Sequence, residues 1–316
     1  MTSDVLLVAW HGVEGDTATW WATTGPLSNN ALPKINANHH FQANSFAGPA
    51  VDPSAHLVAS VGATAPSLIT LQSVDSNGDI SGPGPLVPTT TDFHTDARPA
   101  VTTTSWGNVA LAWRHFEDHR IRFSAQLPIP WQTPVDVGGV SEHGPAIAAI
   151  TNDPFRRVLV AFQGVEDWKG KRDQIRGSIN GGTQFAMTPH DGGMFTSHAP
   201  ALCADVDFFW MAWKGGSDEN IWLSRSPDGV FWTEPHTAQP IKGGINTIAG
   251  PGLAVREGGL VLAWRGVTND QALWWSTLSL DTLPGRNLVG QWQTPQKLDP
   301  SDNSDAGPSL GIRHRR

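Results

Sequence analysis

Five stretches of the chain bring together side chains able to bind a polar ligand: His11 with Asp16, Arg114 with Glu117 and Asp118, Gln163 with Asp173, Lys214 with Asp218, and Arg265 with Asp270. Three of them lead into a tryptophan, Trp20, Trp222 or Trp274. A basic group and a carboxylate offer charged hydrogen bonds to vicinal hydroxyls, while an indole face offers an apolar bed for the CH groups of a sugar ring. Such sets can form carbohydrate sites. Each member also has a purely structural use. Aspartate in a tight turn commonly caps backbone N–H groups, and a basic side chain beside tryptophan commonly lies along it. Recurrence does not separate the two uses, because repeats copy their structural residues as well.

The elements that carry these turns are repeated hairpins. An apolar strand ending in an aromatic residue runs from Leu6 to Trp10, and relatives of it end at Trp113, Phe162, Trp213 and Trp264, with a degenerate copy ending at Ser60. The interval is close to about 51 residues, the mark of an array. After each polar turn a second strand begins, as in Leu273-Trp274-Trp275-Ser276, and Trp-x-x-Pro at Trp131, Trp232 and Trp292 marks a further strand. A proline precedes each copy of the apolar strand: Pro49, Pro99, Pro145, Pro200, Pro251 and Pro308. Proline suits the first position of a strand, where its missing N–H costs no ladder bond.

The last proline is out of phase. After Pro308 only Ser309, Leu310, Gly311, Ile312 and the terminal basic residues remain, and the strand that should follow is found at the other end of the chain, before Trp10. That offset is expected where the C-terminal strand completes a sheet begun by the N-terminal strands, so that no edge is left bare. The expected fold is therefore all-β: a six-bladed β-propeller of four-stranded antiparallel blades, closed by pairing of the C-terminal strand with the N-terminal strands. A single domain is expected over 1–316, with blades at about 304–316 plus 1–47, 48–97, 98–143, 144–198, 199–249 and 250–303.

Composition agrees. The chain holds 33 Gly and 24 Pro, which suits many short strands and turns. A formal charge of −8 provides no field for nucleic acid. No apolar run approaches the ~18 residues of a bilayer span, so no membrane insertion is expected. Met1-Thr2-Ser3-Asp4 carries no positive start, and no secretory leader is expected in this sequence; the expected product is cytoplasmic or leaderless. The single Cys203, inside an apolar run, is expected to be a buried inert thiol.

One turn has a family likeness. Ser226-Pro227-Asp228-Gly229-Val230-Phe231-Trp232 resembles the Asp box of sialidase-like propellers, one residue short between Asp and Gly. The resemblance implies that Ser226 and Asp228 cap the turn, that Gly229 takes a positive φ and that Trp232 packs inside the blade. Six-bladed sialidases, as the resemblance further implies, use a tyrosine nucleophile. This chain contains no tyrosine, which excludes that mechanism unless another residue has replaced it. Propellers of tandem repeats also include lectins, to which the likeness is architectural.

Three functions remain open. The first is a carbohydrate-binding, lectin-like propeller with several sites at blade loops on one face, using Arg265, Asp270, Trp274, Lys214, Asp218, Trp222, His11, Asp16, Trp20, Arg114 and Asp118, with a glycan or other small polar ligand as partner. The second is a hydrolase or lyase with one axial site built from His143, His198, Asp96, Glu142 and Asp305. His143 and His198 stand at matching positions before Pro145 and Pro200. The third is a protein-interaction scaffold, since propellers host all three. No cofactor or metal is implied. Asp75-Ser76-Asn77-Gly78-Asp79 begins like a calcium loop but lacks the later Gly and Glu, and Asn77-Gly78 reads as a hairpin turn.

Overall fold

The computed structural model describes residues 4–13, 18–24, 35–44, 47–62, 67–75, 80–84, 87–104, 106–126, 130–150, 153–165, 173–187, 193–233, 245–280, 292–298, 304 and 306–313. Their strands form six antiparallel sheets. Blade I joins Ser309–Arg313, Val5–His11, Ala18–Thr24 and Ile35–Asn44. Blade II joins Ala50–Val51, Leu57–Val61, Ser67–Val74 and Ile80–Pro83, with His94–Thr95 added against its third strand. Blade III is Ala100–Thr103, Val109–Arg114, Arg120–Gln126 and Val135–Val140. Blade IV is Ala146–Ala149, Val158–Gly164, Gln174–Ile179 and Phe185–Ala186. Blade V shows three strands among the described residues, Ala201–Ala204, Phe209–Lys214 and Ile221–Ser226. Blade VI is Gly252–Arg256, Gly259–Arg265, Leu273–Ser279 and Gln296–Lys297.

Every array strand of the sequence is the second strand of a blade. It is apolar on both faces because neighbouring blades cover both, and Val158–Gly164 is buried at all seven positions. The outermost strand of blade VI is the opposite: Gln296–Lys297 is exposed at both residues. Each anchor proline stands immediately before an inner strand. Among the described residues the buried apolar side chains fall into six clusters, each shared by two adjacent blades. One of them joins Leu6, Val8 and Trp10 of blade I to Val261, Ala263 and Trp275 of blade VI, which closes the ring. The closing strand pairs from Val5 opposite Arg313 to Ala9 opposite Ser309. The six-bladed propeller and its mode of closure are as expected, apart from the three described strands of blade V.

The inner ends of the blades explain the glycine before proline. A Cβ on Gly144 would lie 1.9 Å from the Arg98 carbonyl oxygen, and one on Gly307 would lie 1.7 Å from the Gly250 carbonyl oxygen. In blades I, IV and VI the chain thus enters the inner strand against the backbone of the preceding blade, and only a hydrogen fits between them.

The turn at 226–232 has the geometry its sequence implies. Gly229 has φ +83. The Ser226 hydroxyl accepts from Gly229 N at 2.8 Å, and Asp228 Oδ1 accepts from Val230 N at 2.9 Å and Phe231 N at 2.8 Å. Trp232 is buried in the core between blades IV and V and donates Nε1–H to the Gly229 carbonyl at 3.0 Å. Cys203 is fully buried, and burial followed by the neighbouring Asp205 charge holds its thiol well above the usual range. Among the described residues no helix is long and apolar enough to cross a membrane. Residues 76–79 of the calcium-like stretch lie outside the described residues.

Candidate functional site

The turn aspartates are caps. Asp118 Oδ1 accepts from Arg120 N at 3.0 Å, Asp218 Oδ1 from Asn220 N at 2.9 Å and Asp270 Oδ1 from Ala272 N at 3.1 Å. In all three the carboxylate closes a turn two residues ahead, as an Asx turn does. Asp118 also pairs with Arg122 through Nη2 at 2.5 Å and with His115. Its carboxyl is held below the usual range: burial opposes the shift, and the Arg120 amide and the Arg122 charge outweigh it. Asp16 lies outside the described residues, as does Asp305.

Strand register corrects the proposed sets. Residues directly opposite each other in an antiparallel pair share one face of the sheet, and their chain neighbours point to the other. Arg265 stands opposite Leu273, whereas Trp274 stands opposite Trp264. Arg265 and Trp274 therefore leave blade VI on opposite sides. Lys214 opposite Ile221 is likewise turned away from Trp222 opposite Trp213, and His11 opposite Thr19 from Trp20 opposite Trp10. Of the blade VI trio only Asp270 and Trp274 meet, with the indole N–H donated to Asp270 Oδ2 at 2.7 Å and Lys297 Nζ placed 5.1 Å from the indole centroid.

The basic residues also have unequal freedom. Lys214 is buried, and its ammonium donates to Ser197 Oγ at 2.9 Å, to the Asp218 carbonyl at 2.9 Å and to the Gly215 carbonyl at 3.3 Å. All three donors are taken, and burial lowers its pKa. Lys214 is an internal strut that holds Asp218 through its backbone. Arg114 is held by both oxygens of Asp96, Nε to Oδ1 at 2.8 Å and Nη2 to Oδ2 at 2.8 Å. His11 accepts from Ser304 Oγ through its carbonyl at 2.7 Å. Arg265 is different: its Nε is buried with no hydrogen-bond partner among the described residues. Its face of blade VI is the one covered by blade I, and the half-buried Trp20 of blade I packs against that same cluster. Basic residue and tryptophan thus face the same gap between blades, from opposite walls. Trp274 and Lys214 share the gap between blades V and VI in the same sense, and Trp222 shares the next gap with Gln163.

On the same face as the hairpin turns, the loops before the inner strands surround a cavity of about 390 Å³ on the ring axis. It narrows to about 50 Å³ between the inner strands. Two residues before the anchor proline stand Ala47, Ala97, Ala249 and Ala306 in four blades, but His143 and His198 in the other two. One residue before it, blades I, II, IV and VI have Gly and blade V has Ala, but blade III has Arg98. These three exceptions all line the cavity.

The two imidazoles are stacked, with centroids 4.9 Å apart and planes 13° from parallel. His143 Nε2 donates to the Ser197 carbonyl at 2.9 Å. The Ser197 hydroxyl, accepting from Lys214, lies 3.0 Å from His198 Nδ1 and can donate its own proton there. Burial, then the neighbouring His143, then Lys214 lower the His198 pKa to about 4, and burial lowers that of His143 as well. Both rings are neutral near pH 7. Arg98 donates Nη1 to the carbonyls of Gly307 at 3.0 Å and Pro308 at 3.4 Å, reaching from blade III to blade I across the channel. Part of its surface faces the cavity, and protein atoms enclose the rest, which lowers its pKa to about 10 and leaves it a cation at neutral pH. Arg98 and Ser197 were not singled out in the sequence. Arg98 had a visible signal, being a charged residue in a slot otherwise filled by Gly or Ala.

The His198 shift has a consequence for stability. Its folded value of about 4 lies below the unfolded value near 6.5, so the unfolded chain takes up the proton first as the pH falls. Stability from this group is complete above about pH 6.5 and is lost progressively down to about pH 4, by on the order of 1–2 kcal/mol once the partial exposure of the ring is discounted. Replacing His198 by alanine, the residue four other blades carry there, should flatten that part of the profile. Thermal melts from pH 7.5 to 4 check this; an unchanged slope in the His198→Ala variant would count against the buried neutral imidazole.

Six closed blades, polar loops on one face and an axial cavity define a six-bladed β-propeller. Its fold is similar to that of AofleA from Arthrobotrys oligospora, with a TM-score of 0.56 and 8% identity over 98% of this chain and 88% of that one. It is also similar to the Aleuria aurantia lectin, a six-bladed propeller that recognises fucose, with a TM-score of 0.51 and 12% identity over 95% of this chain and 97% of that one. No protein-family model matches the chain. No curated protein matches it either.

Proposed function

We propose that the chain is a carbohydrate-binding, lectin-like propeller whose sugar sites lie in the clefts between blades. The observation that carries this reading is Arg265: a half-buried guanidinium with an unpartnered Nε, on the face of blade VI that meets blade I and Trp20. A buried N–H left without a partner is costly, and a ligand hydroxyl would offset that cost. A half-exposed indole supplies the apolar bed that the CH face of a sugar needs. The likeness to the fucose-recognising Aleuria aurantia lectin supports the same class of ligand. The capped turn at 226–232 supports a kinship with sialidase-like propellers at the level of that hairpin.

A glycan array followed by calorimetric titration, with L-fucose as the first probe, tests the reading. Arg265→Ala and Trp20→Ala are each expected to weaken binding at this cleft about tenfold or more, or about 1.4 kcal/mol, with the thermal melt kept. Lys214→Ala is expected to lower stability instead, since its ammonium serves the fold. Absence of any retained glycan, or an Arg265→Ala variant that binds like the parent, would overturn the assignment.

A further inference from the structure

The axial cavity has its own chemistry, separate from the clefts. Among the described residues that line it, Arg98 is a cation with no carboxylate partner, whereas Arg114 is neutralised by Asp96. A guanidinium partly withdrawn from water is costly unless it is used, and two carbonyl contacts are weak compensation for it. The position does not require it, because the other blades close the ring there with Gly or Ala. His143 and His198 break the repeat in the same way, at a position where alanine suffices. Three departures from the repeat, on three different blades, thus meet around one cavity. Its volume falls within the roughly 300–1,000 Å³ of small-molecule pockets.

We propose that this axial cavity binds a small carboxylate-bearing molecule of the size of an acidic monosaccharide, with the carboxylate on Arg98 at the floor and the body against the stacked His143 and His198. The planar guanidinium matches a carboxylate in a way that a hydroxyl does not. The neutral imidazoles carry no charge of their own to the ligand and present ring nitrogens to its hydroxyls. Polarity along the axis fixes the orientation. Asp96 is neutralised by Arg114, so Glu142, whose side chain is exposed, is the carboxylate of the cavity wall that repels the anionic end and accepts from hydroxyl groups instead. Arg98 lines both the wide cavity and the narrow throat below it, which places the positive charge where the channel closes.

Titration with D-glucuronate and with D-glucose at one fixed ionic strength tests the site. Glucuronate should bind at least tenfold more tightly than glucose. Arg98→Met should remove that preference, and Ala306→Phe, which fills the cavity from blade I while leaving Arg98 in place, should abolish glucuronate binding. Arg265→Ala should leave it unchanged, which separates this site from the clefts. Equal binding of the two sugars, or no binding of either, overturns the proposal. So does either cavity variant that melts like the parent and still prefers glucuronate. If Arg98→Met does not fold, Ala306→Phe decides the matter alone.

Discussion

A chain lacking residues 307–316 is expected to lose its cooperative native melt altogether. Ser309–Arg313 is the inner strand of blade I, and all five of its residues pair with Val5 through Ala9. It carries Leu310 and Ile312 into the cluster between blades I and VI. Burial of two such side chains contributes about 1.5–3 kcal/mol each. The strand also reaches the blades on both sides. Ile312 N donates to the Pro53 carbonyl at 2.9 Å, Ser309 Oγ accepts from Val51 N at 2.8 Å, and Arg313 donates to the Val74 carbonyl at 2.8 Å, all in blade II. On the other side Leu310 and the Pro308 carbonyl press on Gly252 of blade VI. Removing the strand also exposes the backbone edge of Val5–His11, at about 1 kcal/mol for each orphaned buried group. The total approaches the whole stability of an ordinary domain, about 5–15 kcal/mol. Calorimetry of the truncated chain measures this, and a sharp native-like transition would mean that the ring holds without its seam.

Gly144→Ala is expected to cost about 3–5 kcal/mol, a fall in melting temperature of roughly 5–8 °C. The added Cβ would meet the Arg98 carbonyl oxygen at 1.9 Å, and because both partners are backbone no side-chain rotation relieves the clash. Gly107→Ala is the control. Gly107 has φ +75 with nothing within 4 Å of the added carbon, so only the conformational penalty of about 1 kcal/mol applies. If the two variants lose equal stability, the close approach of successive inner strands is not what selects glycine at the axis.

The fold was legible because its physical constraints repeat. A strand covered on both faces must be apolar throughout, so the second strands stand out six times, and proline at each inner strand marks the phase. The candidate ligand groups were legible only as residue types. Whether Arg265 and Trp274 share a face depends on which residues pair across the turn, and the Val267–Asp270 loop length leaves that register open until Arg265 is seen opposite Leu273. The capping role of Asp118, Asp218 and Asp270 follows from turn chemistry and was foreseeable. The axial set had the opposite character. His143 and His198 stood out by position, and Arg98 by its charge in a slot otherwise filled by Gly or Ala, but that its side chain crosses the channel to blade I is not written in the anchor.

The seam of blade I bears on the order in which the chain folds. Ser304 and His11, joined by a hydrogen bond at 2.7 Å, are 293 residues apart in sequence. Bringing the ends of so long a free loop together costs about 5 kcal/mol of chain entropy before any contact offsets it. Hairpins inside one blade carry almost none of that cost. Stacking of blades II to VI therefore comes first, each interface curving the array and drawing the two ends closer. The seam can then zip as a nearly local event, which makes blade I the last to form although its second strand, Val5–His11, comes before every other strand in this sequence.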